Sequence, residues 1–402
     1  MVKKYDVILY GATGFVGRQT VDYFARYTGL PKNFRWAIAG RSADKLHKVL
    51  RDGGVDGVGV VVAEAHDAVA MDALAKSAKV VLSTAGPFAL YGSTLVEACV
   101  RHGTHYVDIT GETPWVRGLI DRHHEQAAQS GTRIIPMCGF DSIPSDLSAF
   151  LAQQAMQQRY QENCVAVKSA FSARGGFNGG TLASALNLLS QGEGKTLADP
   201  FLLNPPGTRP LHAEQQTDVV LPRYDQDFAV WLAPFFMAVA NTRVVRRSAA
   251  LLGYGKDFSY QEYLNMGRGA VGAVSSAAIS SATVLTQIAL KSERVLTLAT
   301  RFAPPPGSGP SEASMNNGSF RCRWIGHSAT GKMVQGQIAD QGDPGNRATT
   351  KLVCEAAVAL ALESKRLPGG RSHGGVLTPA SGIGQVLVDR LRAAGMTIEV
   401  RA

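Results

Sequence analysis

Residues 7–17 read Val-Ile-Leu-Tyr-Gly-Ala-Thr-Gly-Phe-Val-Gly, and this stretch restricts the fold more than any other. An apolar run suited to a buried strand meets three glycines and turns at once into helix. Gly11 permits the tight turn, Gly14 lets a pyrophosphate approach the backbone with no Cβ in the way, and Gly17 allows close helix–strand packing. The new helix offers free N–H groups and a positive dipole end to that anion. Thr13, Phe15 and Val16 complete the loop. The spacing is G-x-x-G-x-x-G, a variant of the dinucleotide fingerprint, and it gains meaning only as the first strand of a βα series.

Such a series follows. Short apolar runs at 6–10, 36–39, 59–63, 80–83, 106–109 and 133–137 read as strands, with amphipathic helices at 16–26, 71–77, 94–102 and 116–130 between them. Alternation of this kind implies βαβ units, and right-handed crossovers make a doubly wound parallel sheet. The regularity breaks at residues 139–144. A helix near 145–158 and strands at 164–173, 318–327 and 332–339 follow, the last two as a hairpin. Residues 174–310 read as helical and irregular, and helices near 348–366 and 381–394 precede a strand at 397–400. The expected class is α/β, a Rossmann-type domain over 1–140 with a second mixed α/β substrate domain over 141–345. Residues 346–402 are expected to return to the first domain.

The end of the second strand selects the nucleotide. An acid there would serve the ribose of NAD, whereas an arginine favours the 2′-phosphate of NADP. The sequence is Ala39-Gly40-Arg41-Ser42, so Arg41 can pair with the phosphate and Ser42 can donate to it. Glu64 follows the third strand, where an acid can meet the adenine amino group. After the fourth, Thr84, Ala85, Gly86 and Pro87 give a small-residue floor for ribose and nicotinamide, a pattern that plain turn chemistry also produces. NADP(H) is the expected cofactor.

Net charge is +9, but residues 1–150 hold 16 basic against 15 acidic side chains and residues 151–402 hold 25 against 17. Aromatics are 7% and basic runs are absent, so nucleic acid is not an expected partner. Five scattered cysteines without a C-x-x-C pair read as reduced, buried thiols. The histidine spacing supports no metal site. Residues 269–290 contain no charge. Their small residues suit a packed helix, while a lipid-surface element or a span stays open. The expected location is cytoplasmic, with peripheral contact to a membrane or lipid and homo-oligomerisation left open.

With these motifs in place the chain resembles the saccharopine dehydrogenase-like oxidoreductase family, and within it the trans-acting enoyl reductase branch. The resemblance is carried by residues 10–17 and 39–42, by Ala85-Gly86-Pro87-Phe88 with Tyr91-Gly92, and by residues 106–112 and 139–146. Residues 179–184, 241–248, 342–345 and 375–380 favour the enoyl reductase branch. It implies an NADP-binding Rossmann domain, an inserted substrate domain and reduction of a carbon–carbon double bond in a long lipid or polyketide-derived substrate. For some members it also implies contact with membranes or lipid droplets.

Chemistry is expected at the carboxyl ends of the strands. Asp141 or Ser142 can orient a substrate carbonyl, and Tyr91 can act as general acid. Each has a plain structural alternative: a turn and cap for Asp141 and Ser142, a packing role for Tyr91, a cap or ion pair for Glu112. The substrate is expected to be apolar or thioester-linked. The rival readings are an amino-acid dehydrogenase of the saccharopine type and a non-catalytic NADP(H) sensor or scaffold.

Overall fold

Strand β1 (Tyr5–Tyr10) buries Val7 and Leu9 on one side and Ile8 and Tyr10 on the other. A strand apolar on both faces must be covered on both, and the computed structural model shows how. It describes residues 3–26, 29–175, 194–210, 212–289, 292 and 308–401. With β1 run β2 (Trp36–Gly40), β3 (Gly59–Val62), β4 (Ala78–Ser83), β5 (His105–Asp108), β6 (Arg133–Ile135) and β13 (Gly375–Val376). All are parallel, in the order β13-β6-β5-β4-β1-β2-β3. Helices α1 (Phe15–Arg26) and α2 (Ala43–Gly53), with α10 (Thr349–Leu362), cover the Val7 face. Helices α3 (Ala68–Ser77), α5 (Ser93–Arg101) and α6 (Thr113–Gln129) cover the Ile8 face. This is the doubly wound sheet the alternation implied.

The second sheet is mixed. Its strands are β7 (Cys164–Arg174), β8 (Arg223–Asp225), β9 (Val230–Pro234), β10 (Ser259–Gly267), β11 (Ser319–Ser328), β12 (Met333–Gln341) and β14 (Thr397–Arg401), in the order β14-β12-β11-β7-β10-β9-β8. Only the β7–β10 pair is parallel. Helix α7 (Ile143–Tyr160) lies on one face, against Phe320, Cys322 and Trp324 of β11, and its core is continuous with that of the first sheet.

Three expectations change. The described residues of 174–310 hold three strands, β8, β9 and β10, that periodicity did not show. Buried on β10 are Tyr260 and Glu262 together, so the inward face carries a carboxylate and the apolar alternation is lost. The C-terminal segment divides: β13 pairs with β6 in the first sheet, but β14 pairs with β12 in the second, with Ile398 opposite Ile338. Its last strand therefore does not return to the first domain. Finally, α9 (Gly269–Ala289) is not a packed core helix. It lies along β9, and among its described side chains and glycines buries the line of Gly272, Ser276 and Ser280 alone, while Val271 is 79% and Leu285 66% exposed. It is also long and apolar enough, by length and composition, to cross a membrane. All five cysteines are buried and unpaired.

Candidate active site

The strand order reverses at β1. The chain leaves β1 for β2 and β3 on one side and returns to β4 on the other, and ligands bind in the crevice at such a switch point. The two loops flanking it touch. Thr84 N–H donates to the Tyr10 carbonyl at 2.9 Å and the Thr84 hydroxyl to the Gly11 carbonyl at 3.2 Å. Gly11 has φ +90°, and a Cβ there would lie 2.8 Å from the Ala85 nitrogen. A Cβ on Gly17 would fall 2.2 Å from the Gly11 carbonyl oxygen. Both glycines are sterically required. Gly14 is different: a Cβ there would meet only the Gly11 oxygen at 3.3 Å, so its other side is open to a ligand. Thr13 is fixed through its carbonyl by Arg18 at 2.8 Å, and Val16 is buried. The Phe15 ring is covered by Gly309, where a Cβ would lie 2.3 Å from it.

Arg41 is exposed at the tip of β2, with neither an ion pair nor a hydrogen bond among the described residues. Ser42 caps α2 by accepting from the Lys45 N–H at 3.4 Å, which leaves its own O–H free to donate. Glu64 turns one oxygen onto the His66 N–H at 2.7 Å and leaves the other outward. A glycine cradle with a free guanidinium one strand away fits NADP(H), whose 2′-phosphate needs such a cation.

Glu112 holds the floor after β4. Its two oxygens accept from the Phe88 and Ala89 N–H groups at 2.8 and 2.9 Å, at the start of the short helix α4 (Phe88–Tyr91). The cap alternative describes it. Gly86 and Pro87 lie between this anchor and Ala85. Tyr91 stands at the other end of α4, 38% exposed, its ring centroid 5.9 Å from that of His66. That contact sets it with the loop after β3, on the side of Arg41 and Glu64.

Asp141 follows β6 on the opposite side. It is half-buried and has no hydrogen-bond partner among the described residues, and burial pushes its carboxyl up to about 6. Beneath it Ser142 is fully buried, and its hydroxyl donates to Asn241 Oδ1 at 3.4 Å. Asn241 donates in turn to Glu262 Oε1 at 2.7 Å, and Ser145 and Tyr260 donate to Oε2 at 2.6 and 2.9 Å. Burial raises Glu262 to about 7. The Ser142 hydroxyl is thus engaged with the Asn241–Glu262 group of the second domain. The structure brings neither Asp141 nor Ser142 into contact with Tyr91. Sequence reading missed Glu262 and His66; the one available signal was Tyr260 and Glu262 two apart, which share a strand face.

Phe140, next to Asp141 in sequence, belongs to an aromatic cluster of the buried core. Phe140 meets Phe320 at 4.9 Å and Phe171 at 5.9 Å, and Phe171 stacks on Phe235 at 4.8 Å. The basic residues of α8 (Ala238–Leu252) are already engaged. Arg243 pairs with Asp218, Arg246 donates to the carbonyls of Pro200 and Tyr260, and Arg247 to those of Leu203 and Val376. Residues 179–184 lie outside the described residues.

The model for the saccharopine dehydrogenase NADP-binding domain matches residues 7–135, the span that holds the whole cradle. A putative trans-acting enoyl reductase of Mycobacterium tuberculosis is 38% identical over 99% of this chain and 97% of its own. The chain belongs to the saccharopine dehydrogenase-like oxidoreductase family, in its trans-acting enoyl reductase branch. A trans-acting enoyl reductase of Mycobacterium leprae is 35% identical over 98% of this chain and 97% of its own. Among solved structures, the apo saccharopine dehydrogenase (L-Glu forming) of Saccharomyces cerevisiae superposes with TM-score 0.56 over 98% of this chain and 99% of its own, at 11% identity. That likeness shows the fold. As a member of this family the protein is an NADP-binding oxidoreductase, and Arg41 and the glycine loop are the parts of it that fit NADP(H).

Proposed function

We propose that this oxidoreductase is an NADPH-dependent enoyl reductase, saturating a carbon–carbon double bond in a long-chain lipid or polyketide-derived substrate that is apolar or thioester-linked. The observation that carries the reading is Asp141, a carboxyl with no hydrogen-bond partner among the described residues and raised to about 6, in the turn that leads from β6 into α7. Bound in the glycine cradle, NADPH would supply the hydride for the β-carbon of the enoyl group. Asp141 in its protonated form gives the α-carbon its proton as general acid. Ser142, tied to Asn241, holds the turn under Asp141 and acts as a positioning residue. The Thr84–Pro87 floor would lie along a bound cofactor, and Tyr91, set beside His66, would form part of its wall. The names of the mycobacterial relatives support the enoyl reading. A saccharopine-type reaction would need free cations for several carboxylates, and Arg243, Arg246 and Arg247 are engaged with Asp218 and main-chain carbonyls.

The test is NADPH oxidation against enoyl thioesters of increasing chain length, and then against keto-acid and amino-acid pairs. Turnover with the thioesters, rising with chain length, is expected. Turnover only with the second set would establish the amino-acid reaction instead, and tight NADPH binding with no turnover would mark a sensor.

A further inference from the structure

The Asp141 carboxyl has no hydrogen-bond partner among the described residues, yet both of its neighbours in the chain are tied. The turn that holds it closes on the Gly139 carbonyl, which accepts from the Ser142 and Ile143 N–H groups at 3.2 and 3.0 Å. Before Asp141, the Phe140 N–H donates to the Thr349 hydroxyl at 3.1 Å, and that hydroxyl donates onward to the Pro344 carbonyl at 2.9 Å. Thr349 opens α10 in the C-terminal segment. Its methyl lies against the turn, 3.4 Å from where a Cβ on Gly139 would be. After Asp141, the Ser142 hydroxyl donates to Asn241 Oδ1 at 3.4 Å. Asn241, on α8, is held in turn by donating to Glu262 Oε1 at 2.7 Å. Both Thr349 and Asn241 are buried.

The tie to Asn241 breaks a local rule. Ser142 stands at the N-cap of α7, where a serine side chain ordinarily accepts from the first free N–H groups of the helix, and here it makes no such bond. Its hydroxyl reaches α8 instead. A local preference given up for a distant partner is expected where position matters more than helix stability.

Between the two ties lies a carboxyl raised to about 6 by burial, with no charged group among the described residues contributing. Such a shift persists while the side chain is kept from swinging out into water. A residue whose two neighbours are both fixed has little freedom to do so.

We propose that Thr349 and Asn241 are positioning residues, a two-sided clamp that keeps the Asp141 carboxyl sheltered in the turn after β6. One jaw comes from the C-terminal segment and the other from the second domain, so the carboxyl is set only when both pack on the first domain. The catalytic meaning of the clamp rests on the enoyl reductase reading; the shelter it gives the carboxyl does not.

The difference between the proton-binding curves of the full chain and of Asp141→Asn gives the midpoint of Asp141, expected near 6. Thr349→Val and Asn241→Leu, each compared with and without Asp141→Asn, should lower that midpoint by about one pH unit or more, tenfold in proton affinity, toward the value near 4 of a solvated carboxyl. Ser142→Ala deletes the second tie from its other end and should do the same, which covers the case in which Asn241→Leu does not fold. Thr350 is buried beside Thr349 with its hydroxyl unpartnered among the described residues, so Thr350→Val should leave the midpoint in place. NADPH binding, followed by nicotinamide fluorescence, reports that each variant is folded. With an enoyl thioester, kcat should fall about tenfold in Thr349→Val and Asn241→Leu while KM for NADPH is unchanged. A wild-type midpoint near 4 overturns the clamp. So does a midpoint unmoved in Thr349→Val, one unmoved in Ser142→Ala, or an equal shift in Thr350→Val. Lowered midpoints in a chain that reduces no thioester would uphold the clamp and remove the reaction assigned to Asp141.

Discussion

Arg41 and Asp141 follow strands on opposite sides of β1 and are constrained in opposite ways. Arg41 is exposed and free of partners among the described residues, so its worth depends on the 2′-phosphate alone. Charge-assisted pairs of this kind contribute about 1.5–3 kcal/mol. Arg41→Ala should therefore raise the Kd for NADPH about tenfold or more and leave that for NADH nearly unchanged; equal losses would remove the 2′-phosphate role. Asp141 is defined by burial. With its carboxyl at about 6, the protonated donor is plentiful below that pH and declines above it. Under the proposed mechanism kcat/KM falls as pH rises through about 6. Asp141→Asn should abolish that limb and lower kcat by about 10²–10⁴-fold, with Kd for NADPH unchanged. Persistence of the limb in Asp141→Asn would assign the proton to another group. Arg41 was legible in the sequence because a strand end and a glycine loop fix its position. The burial of Asp141 was not, because it depends on the packing of the two domains around the turn after β6.

The glycine loop and the floor after β4 are single elements with local rules, and the sequence shows them plainly. What it hides is the support. Glu112 comes from the loop after β5, yet it caps α4 and so fixes where Pro87 and Ala85 lie. Glu112→Ala strands two amide groups and should cost about 2 kcal/mol, seen as a lower unfolding midpoint. Because it shifts the floor and not the phosphate site, NADPH and NADH should weaken together. A loss confined to NADPH would contradict this placement of Glu112. The same reasoning explains the elements that periodicity missed. Inward-facing Glu262 on β10 masks the strand pattern, satisfied by Ser145, Tyr260 and Asn241 from three separate elements. The exposure of α9 was equally hidden: Gly272, Ser276 and Ser280 announce one close contact but not the absence of a second.

Over the whole molecule, the two sheets share one core, and the C-terminal segment is further held by buried polar groups. Arg133 of β6 donates to the carbonyls of Pro368 and Gly370, and Arg247 of α8 to those of Leu203 and Val376. Arg247→Met would leave two buried carbonyls unpaired and should cost about 3 kcal/mol, detectable in urea unfolding; a change below about 1 kcal/mol would show that these bonds do not hold the C-terminal segment in place. The buried carboxyls set a pH dependence. Asp108, Asp146 and Glu262 are each raised to about 7, in every case chiefly by burial. Unfolded, such groups titrate near 4, so from about pH 4 to 7 the native chain holds more protons than the unfolded one. Their contribution is therefore greatest at low pH and is lost as pH rises through about 7. His105, lowered to about 4 by burial, acts in the opposite sense, but only below about 6.5. Between pH 6.5 and 8 the carboxyls dominate, and the unfolding midpoint should fall across that interval. Asp146 accepts from the Ala380 N–H at 2.8 Å, a bond that an asparagine carbonyl can keep. Asp146→Asn should therefore fold and reduce the fall by roughly one third, since one of three similar titrations is removed. An unchanged slope in that variant would mean that Asp146 does not take up its proton on folding.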